Sequence, residues 1–192
     1  MIQRKANPVL PTMQLSFRPR AGALALVLLA TTVGACASPP PVPNTATTPL
    51  VLESFFPGKT VGEGVFTNAW TGSQRKFDVV IDGSWDGKTL TLVEDFAFAD
   101  GEKDRKTWKL EQTGVGTYTG TREDVVGQAR AWTDGKAVRL EYAVNLGGWT
   151  VDFSDVLVLT APDALLNNAV VGKWGLRVGR VQLVLRRAPA GS

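Results

Sequence analysis

Histidine is absent from this chain and cysteine occurs once. Those two gaps exclude His-based metal sites, Ser-His-Asp triads and any disulfide within the chain, and much enzymology goes with them. The basic excess is confined to one end. Arg4, Lys5, Arg18 and Arg20 lie in the first 35 residues, where there is no acid, and the remaining 17 bases meet 18 acids. From Cys36 onward the chain sits near neutrality, so its alkaline balance is no argument for nucleic acid. No basic stripe with interleaved aromatics is present either.

Residues 1–35 combine a basic start with an apolar run from Ala21 to Ala35 that is short for a bilayer-spanning helix, which is the pattern of an export signal; Met13 is a second candidate start. The run leads into Val33-Gly34-Ala35-Cys36, which resembles the lipobox of bacterial lipoproteins: a branched apolar residue, two small ones, then the cysteine whose thiol is diacylated and becomes the new N-terminus. Cys36 is therefore the expected lipid-attachment site. Residues 36–49, rich in Pro, Thr and Ala, read as an extended, mobile tether. Ala37 is not Asp, which by the common Gram-negative sorting rule sends the protein to the outer membrane, facing the periplasm.

The folded domain is expected over residues 50–187, with 188–192 a disordered tail. Leu52 to Gly58 reads as a short helical or irregular plug before the first strand, which starts near Val61. Phe77 to Leu110 then reads as three antiparallel strands. Asp86-Gly87 suits a two-residue type I′ turn, which sets Ile81 opposite Leu92 and Phe77 opposite Phe96, with Asp78, Asp82, Thr91 and Asp95 on the other face. Around Asp100-Gly101-Glu102 an odd-length loop keeps Trp108 and Leu110 inward and places Glu94 opposite Trp108.

A turn at Thr113 to Gly116 leads into a strand around Tyr118. Asp134-Gly135 predicts a hairpin with Ala131 opposite Val138 and an unfavourable Arg130–Arg139 pair, and Gly147-Gly148 predicts one with Val144 opposite Val151 and Tyr142 opposite Phe153. Pro162 to Asn168 reads as a helical turn, and Gly179-Arg180 as the last hairpin, with Trp174 opposite Leu185. About ten short strands in meander order make an all-β, antiparallel up-and-down barrel, lipocalin-like, with one short helical turn; a sandwich is the alternative.

The chain also resembles a family of uncharacterised bacterial lipoproteins grouped under a domain of unknown function, with a lipocalin-like barrel. The resemblance covers Leu50 to Arg187 and rests on Phe55-Phe56-x-Gly58, Gly62-x-Gly64-x-Phe66, the stretch Glu94 to Glu102, Arg105-x-x-Trp108, Tyr118-x-Gly120, Asp124 to Ala129 and Gly175-x-x-Val178-Gly179. One departure is Val156 after Asp155, where the family pattern places a tryptophan. The resemblance implies the fold and no biochemical activity.

Glu94 and Asp155 are the two acids with inward parity, and neither has an evident mid-barrel counter-charge in the sequence. Buried carboxyls either become neutral or find donors, and Trp108 and Tyr142 are the groups expected to donate to them. Glu94, Trp108, Tyr142 and Asp155 are thus the candidate ligand-binding residues. The inner face pairs large Phe77, Phe96, Phe98 and Trp108 with small Gly127, Ala129 and Ala131, which leaves room for an apolar pocket. No catalytic constellation, metal site or cofactor is expected. The leading functional expectation is a lipid-anchored envelope protein that binds or carries a lipophilic molecule such as a fatty acid. The alternatives are a filled structural barrel that meets a membrane-protein partner, and an acid/base enzyme using Glu94 and Asp155.

Overall fold

The computed structural model describes residues 37–189; the expected export signal and the expected lipid-attachment residue Cys36 lie outside the described residues. A short helix, α1 (Leu52–Phe55), precedes ten strands: β1 (Gly58–Asn68), β2 (Gln74–Trp85), β3 (Thr89–Phe98), β4 (Lys103–Gly114), β5 (Thr117–Thr121), β6 (Val125–Asp134), β7 (Ala137–Leu146), β8 (Trp149–Ala161), β9 (Ala164–Lys173) and β10 (Leu176–Arg187). Each strand pairs antiparallel with the next, and β1 pairs with β10, so the sheet closes and leaves no unpaired edge. The expected all-β meander barrel is the observed one. Among the described residues no helix is long and apolar enough to cross a membrane.

The meander puts alternate turns at opposite ends. At one end α1 forms a floor: Leu50, Leu52, Phe55 and Phe56 are buried against Leu90, Leu110, Leu159 and Leu165. The Tyr118 hydroxyl donates to Glu53, and Gln112 Nε2 donates to the other carboxylate oxygen at 3.0 Å, so two barrel side chains pin the helix. The opposite end is rimmed by the β1–β2, β3–β4, β5–β6, β7–β8 and β9–β10 turns.

Several sequence expectations for the register change by two residues. Trp85 pairs with Leu90, leaving four residues in the turn instead of two, because Asp86 Oδ1 accepts the Lys88 and Thr89 N–H groups at 2.8 and 2.7 Å and closes a longer loop. Ile81 therefore faces Glu94, and Phe77 faces Phe98. The β3–β4 loop is of odd length as expected, yet Trp108 faces Leu92, and Glu94 faces Lys106. In the β6–β7 hairpin the turn is Gly135-Lys136, so Arg130 meets Glu141 instead of Arg139, and the like-charge clash disappears. A slip of two preserves every side chain's face, whereas a slip of one would have inverted it. Gly127 is the exception: with φ of 75° it sits at a β6 bulge and is exposed, not inward.

Two elements differ in kind. Pro162 to Asn168 is no helical turn: Pro162-Asp163 is a tight turn, and β9 runs from Ala164 with ladder partners on both β8 and β10. Paired on both sides, its backbone is better satisfied than in an isolated turn of helix. The last hairpin turns at Trp174-Gly175, with φ of 52° and 76°, rather than at Gly179-Arg180. Gly179 serves packing instead, since a Cβ there would strike the Phe66 ring. The Gly147-Gly148 hairpin has the expected register, Val144 with Val151 and Tyr142 with Phe153.

Segment 37–49, expected as an extended, mobile tether, turns once near Asn44 and lies along the barrel's outer wall. Thr47 N donates to Leu159 O at 2.9 Å, Leu50 N to Lys136 O at 3.1 Å and Arg139 to Pro40 O at 3.2 Å, while Ala46 packs on Ala137, Val156 and Val158. This cover explains why β8 reads apolar on both faces from Val156 to Leu159.

Candidate functional site

Inward side chains above the α1 floor leave a cavity of about 500 Å³. Its walls are largely apolar, including Leu92, Phe96, Trp108, Leu140, Phe153 and Val171, and small Ala131 and Ala169 make the space where larger residues would fill it. It reaches the rim opposite α1, because Leu146, 52% exposed, and Arg75 both line it.

The four sequence-derived candidates all line this cavity. Glu94 projects from the middle of β3 and Asp155 from β8, with Asp155 6% exposed. Trp108 on β4 meets the Tyr142 ring of β7 edge-on at 5.0 Å, and Tyr142 stacks on Phe153 at 5.0 Å. The expected Trp108–Glu94 hydrogen bond does not form, because the register sets Trp108 opposite Leu92, two pairs along the ladder. Trp108 instead receives the Arg122 guanidinium, 4.8 Å from its ring centroid.

Arg122 is the counter-charge that sequence reasoning missed. It follows β5, is mostly buried, and holds Asp124 through Nε–Oδ1 at 2.7 Å and Nη2–Oδ2 at 3.3 Å, with Nη1 3.6 Å from Glu94 Oε2. A signal was present: Tyr118, Gly120 and Arg122 share one parity, and the alternation runs on past the end of β5. Asn167, hidden by the helical reading, donates Nδ2 to Asp155 Oδ2 at 3.1 Å.

Burial dominates the site's electrostatics. It pushes Glu94 from 4.5 to about 7, with Asp155 adding repulsion and Arg122 only partly offsetting it. Burial likewise raises Asp155 from 3.8 to about 7, against the pull of Asn167, Arg122 and Tyr142. Burial also pushes the Tyr142 hydroxyl well up, which keeps it protonated. Two buried acceptors, Glu94 Oε2 and Asn167 Oδ1, have no hydrogen-bond donor. Near neutrality the site holds or releases protons within an apolar chamber.

A closed ten-strand antiparallel barrel with one plugged end and an internal chamber is a lipocalin-like fold. Residues 30–187 match the family described as Protein of unknown function (DUF3833), and the chain belongs to that family. Among solved structures it is similar to the S-type phycobiliprotein lyase CPES from Guillardia theta, at 10% identity and TM-score 0.56, covering 73% of this chain and 94% of that one. It is also similar to a DUF3598-family protein of unknown function from Nostoc punctiforme, at 13% identity and TM-score 0.55, covering 77% of this chain and 52% of that one. No curated protein matches. At such identities the likeness shows the fold alone.

Proposed function

We propose that this protein is a lipid-anchored envelope protein whose barrel binds an apolar or amphipathic small molecule of the lipid class. The cavity of about 500 Å³, apolar in its walls with a few convergent polar groups, carries this reading. A filled barrel would leave no such space, which disfavours the purely structural alternative.

The anchor reading draws support from geometry at the rim, where Ala37, the first described residue, donates its N–H to Gly175 O at 2.9 Å. There Trp149 and Trp174 are 59% and 82% exposed, their rings 6.3 Å apart, with Lys173 Nζ over both. Exposed tryptophans with an adjacent lysine suit the bilayer interface. The cavity would then open toward the membrane that supplies its ligand. Cys36→Ala should block lipid modification and leave an unprocessed precursor; an unmodified Cys36, with cleavage elsewhere on mass spectrometry of the mature N-terminus, would sink the anchor.

Ligand binding is tested by titrating the purified protein with diphenylhexatriene while following quenching of the buried tryptophan Trp108. Saturable binding is expected. Ala131→Leu and Ala169→Leu, which fill the chamber, should weaken it about tenfold or more with the barrel still folded. Affinity unchanged in both variants would move the binding site elsewhere. A second reading, an acid/base catalyst, is favoured by one observation: Glu94 and Asp155 face the same cavity with proton affinities near neutrality.

A further inference from the structure

We infer, resting on the binding reading above, that the ligand is an amphipath whose head is a protonated amine or a similar hydrogen-bond-donating cation, held between Glu94 and Asp155, and not a carboxylate. The cavity's own cations are already engaged. Arg122 is held by Asp124 and faces Glu94, and Lys106 Nζ lies 3.0 Å from Asp104 and 3.9 Å from Asp124. Arg75, at the rim, pairs with Asp100 at 2.8 Å and with Glu102. A ligand carboxylate would find no unpaired cation among the described residues lining the cavity, and it would lie against two acids.

Acceptors, by contrast, are in surplus. Glu94 Oε2 and Asn167 Oδ1 are buried, belong to residues that line the cavity and receive no hydrogen bond. Buried acceptors without donors are costly, and a ligand that brings N–H groups removes that cost. The rings of Trp108, Tyr142 and Phe153 line the same cavity, and the Arg122 guanidinium already lies over Trp108 and Tyr142, which shows that these rings hold cations. Aromatic faces attract ammonium groups and repel carboxylates. Since both acids hold protons near neutrality, an arriving ammonium stabilises their ionised forms and displaces protons to solvent.

Isothermal titration of the purified full-length protein near neutral pH with dodecylamine, dodecanol and dodecanoate, each below its micellar concentration, tests the head group at constant chain length. Dodecylamine should bind about tenfold or more tightly than dodecanol, with dodecanoate weakest. Its apparent enthalpy should vary with buffer ionisation in the sense of proton release. Glu94→Gln and Asp155→Asn, made singly and checked for fold by near-ultraviolet circular dichroism, should each reduce the ratio of amine to dodecanol affinity. Dodecanoate binding as tightly as the amine, or an advantage that survives both substitutions, overturns the head-group assignment and leaves the cavity reading standing. Failure of all three probes overturns both.

Discussion

Raising the pH from about 4 to about 8 should destabilise this protein by several kcal/mol, an unusual direction for a chain rich in carboxylates. The cause is the pair of buried acids. Glu94 is raised from 4.5 and Asp155 from 3.8, each to about 7, chiefly by burial. Between the unfolded and folded values the native state binds more protons than the unfolded chain, so stability falls as pH rises. It is fully present below about pH 4 as far as these two groups are concerned, declines through the interval and levels off above about pH 7. At about 1.4 kcal/mol per tenfold change in proton affinity, the loss is on the order of 3 kcal/mol for Glu94 and about 4 for Asp155. The two repel each other and share Arg122, so the effects are not additive.

Glu94→Gln and Asp155→Asn keep shape and much of the hydrogen bonding without the ionisation. Each should flatten the pH profile and raise stability at about pH 8, whereas Glu94→Ala should cost roughly 1 to 3 kcal/mol through lost packing. Urea denaturation across the pH range reads this directly. A profile that rises through neutrality in the wild type, or one unaltered by both isosteric changes, would show that these carboxyls ionise freely.

The second large effect is steric. Gly83 pairs with Gly58 on β1 and Leu92 on β3, and a Cβ at that position would overlap the Phe56 carbonyl, with Leu92 Cδ2 also only 3.3 Å away. The obstacle is backbone at the end of the α1 plug, so it cannot rotate aside. Gly83→Ala should therefore displace the floor of the barrel and lower stability by about 2 to 4 kcal/mol, although alanine has the better strand entropy. The hydrogen bonds that Glu53 accepts from Tyr118 and Gln112 would loosen with it. Thermal unfolding gives the magnitude, and hydrogen exchange at Leu52–Phe56 gives the location. A midpoint equal to wild type would mean that the plug does not rest on β2.

Alternation along each strand was legible in the sequence because it is a local property with a period of two. Ile81, Leu92, Trp108, Leu110 and Asp155 have inward parity in the sequence, and each is buried. The Gly147-Gly148 turn was legible in full, since two adjacent glycines leave one short connection. The turn at Asp86 is two residues longer than its dipeptide suggests, and the turn near Asp134 lies one position further on, at Gly135-Lys136. Which dipeptide turns the chain depends there on the Asp86 bonds to Lys88 and Thr89 and on the Asp134 contact with Arg139 at 2.6 Å, and a dipeptide alone does not reveal these. For Pro162 to Asn168, proline and short apolar spacing fit a helix locally, and only the neighbouring strands made it β9.

By itself, then, the sequence determined an all-β meander, the faces of its strands, the plug before β1, and two acids pointing inward without shown partners. Tertiary structure decided what those acids meet. Glu94 comes from β3, Arg122 and Asp124 from the β5–β6 connection, Tyr142 from β7, Asp155 from β8 and Asn167 from β9. Their separation along the chain carries no periodic signal, and only closure of β1 on β10 brings all these strands around one chamber. The same closure removes the acids from water, and that desolvation, more than any single neighbour, sets their proton affinity.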